Sequence, residues 1–122
     1  MNKIHNFREL KIWQKARYLV KDIYDATKSF PQSETYGLQG QARRAVVSIA
    51  ANIAEGSGKG TDKDFNNFLN ISKGSLFELQ TLVILANDLT YINDDIYNDI
   101  IIKCEELERM IISFQNQLGE NT

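Results

Sequence analysis

A chain of 122 residues, 43% hydrophobic and 25% charged with a formal net charge of −2, is long enough to bury one core and has the composition of a globular domain. A single cysteine, Cys104, excludes an intrachain disulfide. A single histidine, His5, leaves no Cys/His set for zinc and no support for a nucleophile–histidine pair. The start, Met1-Asn2-Lys3-Ile4-His5-Asn6, lacks the apolar core of a secretory leader. No apolar run approaches the ~18 residues that cross a bilayer, so the expectation is a cytoplasmic protein with no membrane association, no metal and no cofactor.

One proline and seven glycines, four of them between positions 56 and 74, leave room for long uninterrupted helices. The first is predicted over 7–28. Phe7, Leu10, Trp13, Ala16, Val20, Ile23 with Tyr24, and Thr27 recur every three or four residues, which marks one helix face. Phe30-Pro31 ends it, because a residue before proline avoids the helical region.

The second helix is predicted over 34–55, with Leu38, Ala42, Ala45, Val46, Ile49 and Ile53 inward and Gly56 as its C-terminal cap. Gly37 and Gly40 weaken its start. Gln41, Arg44, Ser48, Asn52 and Glu55 fall in one narrow sector beside the apolar stripe. Arg43, Val47, Ala50 and Ala54 line the other side. So little polar surface suggests a helix covered on most sides. The polar line either serves the fold, with Ser48 and Asn52 bonding neighbouring backbone and Glu55 pairing with Arg44 or Lys59, or is a binding strip in which Arg44 meets a phosphate or carboxylate. No clustered catalytic group accompanies it, and the expectation is a non-enzymatic protein.

Gly56-Ser57-Gly58-Lys59-Gly60-Thr61 looks like a nucleotide-binding loop. The full pattern needs a glycine at position 53, where Ile53 stands, and Ser or Thr after the lysine, where Gly60 stands. It also needs a preceding strand, and here an amphipathic helix precedes. A turn between helices is the simpler reading, with a weak anion site at the next helix N-terminus as the alternative.

The third helix is predicted over 62–89, capped by Thr61 or Asp62. Its stripe is Phe65, Phe68 with Leu69, Ser72, Ser75, Leu76, Leu79, Leu82 with Val83, Ala86 and Leu89. Gly74-Ser75 would admit a close neighbour. The fourth is predicted over 94–118, with Ile96, Ile100, Lys103/Cys104, Leu107, Ile111, Phe114 and Leu118 inward. Cys104 reads as a buried structural thiol.

Short connections join antiparallel neighbours. The whole chain, 1–122, is therefore expected to be a single all-α domain, an antiparallel up-down-up-down four-helix bundle. Ile12, Leu19, Val47, Phe77, Ile84, Ile102 and Ile112 lie off the inward stripes. Surplus apolar surface marks a partner site, most economically a homo-oligomer.

Charge is also divided. Residues 1–73 carry twelve Lys and Arg against seven Asp and Glu, a net +5, while residues 74–122 carry two against nine, a net −7. Either the basic half presents Lys11, Lys15, Arg17, Arg43, Arg44, Lys59 and Lys63 to an RNA, or the two halves attract each other within the fold or across an oligomer interface.

Several segments together resemble one family. Phe7-Arg8-Glu9-Leu10-Lys11-Ile12-Trp13-Gln14-Lys15-Ala16 resembles the opening of the "four helix bundle protein" family, also known as the 23S ribosomal RNA intervening-sequence protein family. Phe30-Pro31 with Glu34-Thr35-Tyr36-Gly37-Leu38 matches its first connection. Gln41-Ala42-Arg43-Arg44-Ala45, Ser48-Ile49, Asn52-Ile53-Ala54-Glu55-Gly56, Phe65, Phe68-Leu69 and Gly74-Ser75-Leu76-Phe77-Glu78-Leu79 match its middle, and Tyr91-Ile92 its last turn. The resemblance implies a bacterial protein. Some members are encoded in insertions within 23S ribosomal RNA genes, and their biochemical role is not established. The family is similar to the accessory variability determinant of diversity-generating retroelements, a pentameric barrel of four-helix protomers that associates with a reverse transcriptase and nucleic acid. The resemblance thus implies a homo-oligomer, a pentamer by that analogy, with an RNA or nucleoprotein partner. Arg43 and Arg44 match the family's paired arginines. Ala50 stands where many members have proline, which implies a straighter second helix. The acidic balance departs from the basic relatives.

Overall fold

The structure, a computed structural model, describes residues 4–120. Among them are four α-helices and no strand: α1 (Lys11–Thr27), α2 (Leu38–Ser57), α3 (Asp62–Asp88) and α4 (Asp94–Glu120). Each helix packs on the two that flank it, in the cyclic order α1, α2, α3, α4, and the α2–α3 interface is the most extensive. This is an antiparallel up-down-up-down bundle. Its core runs the length of the molecule through Ala16, Ile23, Ile49, Ile53, Leu76, Leu79, Leu107 and Ile111.

The first helix starts later than the spacing predicts. Phe7–Glu9 form a separate 3-10 turn, capped by Asn6 Oδ1 accepting from the Arg8 amide at 3.2 Å. Leu10 is extended, with ψ 126°. The break lets Phe7 fold edge-on against Trp13, with centroids 5.0 Å apart. Both segments face inward, so the apolar rhythm carries across the break and hides it. The amide of His5 donates to Ser57 O at 3.0 Å, and the His5 ring stands edge-on to Phe65. The N-terminal segment thereby packs across the end of α2.

Ile12 and Leu19, off the expected stripe, are core residues only 3% and 2% exposed. A corner helix in a square bundle is covered by two neighbours, so its buried arc is wider than one stripe. Lys15 and Asp22 flank this α4-facing side, and they meet Glu106 at 3.1 Å and Lys103 at 2.9 Å. Conversely, Tyr24, Leu89 and Ile96, assigned to inward stripes, are exposed.

The second helix also starts late. Gln32–Glu34 form a 3-10 turn and the helix begins at Leu38. Glu34 explains the arrangement: its Oε1 accepts the Leu38 amide at 3.0 Å, and its Oε2 accepts the Tyr91 hydroxyl at 3.1 Å. One carboxylate both caps α2 and ties the first connection to the third. Burial and this bond to Glu34 hold the Tyr91 phenol above its ordinary pKa. At its far end α2 runs through Gly56, the expected cap, to Ser57, and Gly58 caps it. Gly56 is inside the helix because α3 crosses there. A Cβ on it would lie 2.6 Å from Phe68 Cβ. Gly74, expected to admit a neighbour, faces open space. The fourth helix continues past Leu118 to Glu120.

Thr61 Oγ1 accepts the Asp64 amide at 3.2 Å and caps α3. The other end of α3 closes with the Tyr91 amide donating to Ala86 O at 2.9 Å, which puts Thr90 at a left-handed position, φ 62°. A β-branched residue is strained there. Thr90→Gly is expected to raise stability by about 0.5–1 kcal/mol, read as a higher urea midpoint at an unchanged m-value.

Candidate interaction surfaces on the outer helix faces

The polar line of α2 is divided between fold and solvent. Ser48 Oγ and Ser75 Oγ are 2.9 Å apart across the α2–α3 interface. Asn52 Nδ2 donates to Ser48 O at 2.9 Å and to its Oγ at 3.0 Å. One turn away, the buried Ser72 hydroxyl donates to Ile49 O at 3.0 Å. These small side chains let the two helices approach while satisfying their polar atoms. Gln41, Arg44 and Glu55 remain exposed, and Glu55 pairs loosely with Lys59 at 3.9 Å. With Val47 and Ala51 they leave α2 one solvent-facing side, which the expectation of a helix covered on most sides did not include.

Arg43 and Arg44, adjacent in sequence, do different things. Arg43 is spent on the fold: its Nε donates to Thr27 Oγ1 at 3.0 Å, and its guanidinium lies 4.5 Å from the centroid of the Tyr24 ring. Thr27 in turn donates to Ile23 O at 2.7 Å. Arg44 projects outward. Arg43→Ala is therefore expected to cost about 1–2 kcal/mol through the lost bond and ring contact. Arg44→Ala should change stability by under about 0.5 kcal/mol. Chemical denaturation of the two single variants checks both values.

The other basic residues do not gather on one surface. Lys15 faces α4, while Arg17 lies over Trp13, 5.7 Å from its centroid. Lys59 sits 5.2 Å from the Phe68 ring centroid, between that ring and Glu55. Lys63 lies at the end of the bundle beside Asn66 and Gln115. Among the described residues, Lys11, Arg44 and Lys63 make no ion pair. Gly56 and Ser57 are the last residues of α2, and 58–61 is a turn between two helices, with Gly60 at φ 87°. Asp62 and Asp64 occupy the first turn of α3, where they oppose an added anion.

Two shallow grooves flank α1. The α1–α2 groove is lined by Tyr24, Arg43, Arg44, Val47 and Ser48. The α1–α4 groove is lined by Asp22, Asp25, Asp95 and Asp99, with Ala26, Ile96 and Ile100 between them. Lys103 bridges Asp22 and Asp99 at 2.9 and 3.0 Å, and Lys28 meets Asp25 at 3.4 Å. The bonds to Asp22, then to Asp99, hold the Lys103 ammonium above its ordinary pKa. Sequence reasoning missed this acidic groove. Its signal was present in two same-face spacings, 22/25 and 95/99, but only the fold places them together.

Outward-facing apolar side chains recur on three helices. Val47 is 43% exposed, Phe77 52%, Ile84 43%, Ile102 61% and Ile112 40%. Cys104 is buried, and burial pushes its thiol up to about 12. No described helix is long and apolar enough to cross a membrane.

Comparison with known proteins agrees with this architecture. The chain is similar to a protein of unknown function from the S23 ribosomal protein family of Bacteroides thetaiotaomicron VPI-5482, solved at 1.70 Å. The TM-score is 0.79 at 24% identity, over 86% of this chain and 95% of that one, a likeness of fold. No curated protein matches the chain. The family model described as 23S rRNA-intervening sequence protein matches residues 8–113. That match covers α1, α2, α3 and most of α4, and the chain belongs to the 23S rRNA-intervening sequence protein family.

Proposed function

We propose that this protein is a non-enzymatic adaptor that works as a homo-oligomer. The observation that carries the reading is the set of five apolar side chains, Val47, Phe77, Ile84, Ile102 and Ile112, left 40–61% exposed on α2, α3 and α4. The bundle core closes without them, and apolar surface beyond what the core uses supports a protein partner. A second copy is the partner always available, and the resemblance to the pentameric accessory determinant points to five copies. Light scattering across a hundredfold dilution series is expected to give a mass several times the 14.0 kDa chain. A monomer at every concentration would overturn the reading.

The second function of such an adaptor is contact with RNA or a nucleoprotein. What supports it is that Lys11, Arg44 and Lys63 lack acidic partners while Lys15, Arg43 and Lys59 are held within the fold. Contacts of this type bind phosphate without reading sequence. In an anisotropy titration of labelled structured RNA, Lys11→Ala and Lys63→Ala should each lower the magnitude of the log K–log salt slope by about 0.7–0.9. No binding at low salt leaves the protein-interaction scaffold without nucleic acid as the function.

A further inference from the structure

We infer that the basic α1–α2 groove of one copy docks into the acidic α1–α4 groove of the next, so that Arg44 meets the carboxylates around Asp95. The inference rests on the homo-oligomer reading and adds which faces mate.

Opposite charge is the first argument. Arg43 and Arg44 line one groove with no carboxylate among its lining residues, while four carboxylates line the other, three of them paired with Lys28 or Lys103. Each groove also carries apolar surface, Val47 and Tyr24 on one side, Ala26 and Ile96 on the other. Contact would remove that surface from water and desolvate the charges together.

Position is the second argument. Arg43 bonds Thr27 and stacks on Tyr24, while Lys103 bonds Asp22. Both grooves therefore lie beside the same short stretch of α1, residues 22–27, on its two flanks. A contact centred on one groove would set like against like, Arg44 facing Arg44, and like charges repel, so each basic groove takes an acidic one opposite it. Docked one groove at a time, this contact is head-to-tail and leaves one groove of each kind free for the next copy. Because the two mating faces sit at one height along the bundle, repetition rotates each copy with little rise, the condition under which head-to-tail contacts form a ring rather than a steep filament.

Charge reversal tests the pairing. R44E and D95K are each expected to raise the concentration for half-assembly about tenfold or more, since like charges then face each other. The double variant R44E/D95K restores the attraction in swapped form and should assemble near the wild-type concentration. Mixing the two single variants forms attractive junctions between unlike copies, Glu for Arg at 44 facing Lys for Asp at 95 and Arg44 facing Asp95. The mixture should therefore assemble at lower concentration than either variant alone. D25K provides a second acidic-side variant, and circular dichroism confirms that each variant is helical. A monomeric wild type would sink the oligomer reading itself. An oligomeric wild type whose folded R44E and D95K variants assemble unchanged would overturn the groove pairing alone.

Discussion

Gly56→Val is expected to destabilise the bundle by about 3 kcal/mol, seen as a fall of about 10 °C in the thermal midpoint at fixed protein concentration. The cause is the approach of α2 to α3. A Cβ at position 56 lies 2.6 Å from Phe68 Cβ, 3.0 Å from Phe65 Cδ1 and 3.3 Å from Phe65 O. Two of those three atoms belong to the backbone or to the first side-chain carbon, so no rotamer change removes them. The helices must move apart, and the Ser48–Ser75 and Ser72–Ile49 bonds stretch with them. Glycine in a helix interior costs about 1 kcal/mol relative to alanine, so Gly56→Ala recovers part of its strain and should fall between wild type and Gly56→Val. A Gly56→Ala variant more stable than wild type would show that α3 yields at this crossing.

Phe65→Ala should cost more, about 3–5 kcal/mol, a large share of the roughly 6–18 kcal/mol that holds a chain of this length. Phe65 is 1% exposed, and its ring packs against Phe114 at 5.3 Å and His5 at 5.0 Å. Its removal opens a cavity where α2, α3, α4 and the N-terminal segment meet. The neighbouring Phe68 is half-buried with Lys59 over its ring, so Phe68→Ala is expected to cost about 1–2 kcal/mol. Denaturant titrations of the two variants side by side read the difference. Equal losses would mean that the bundle end collapses onto the cavity.

These two sites also show where sequence reasoning reaches and where it stops. The four helices and their order were legible, because apolar residues recur at helical spacing and only short links separate the runs. Phe65 could be placed inside on that basis. Gly56 was legible only as a helix end, since sequence alone does not distinguish a glycine that stops a helix from one that lets another helix cross. Ile12 and Leu19 were misplaced because one stripe was assumed for a helix covered on two sides. The breaks at Leu10 and before Leu38 were hidden because tertiary contacts, Phe7 on Trp13 and Glu34 on Tyr91, set them. The surface was the least legible part. Arg43 and Arg44 fall on different sides of the helix in sequence, but only the position of Thr27 and Tyr24 shows which is an internal tie and which an outward charge.

The state of Cys104 gives the protein an internal clock. With its side chain sealed at 0% exposure and its thiol pushed up to about 12, almost no thiolate forms in the native state near pH 8, and reagent cannot reach it. Alkylation must wait for α4 to part from its neighbours. Its rate in native buffer therefore measures how often the bundle opens. As this is the only thiol in the chain, the measurement needs no engineered label.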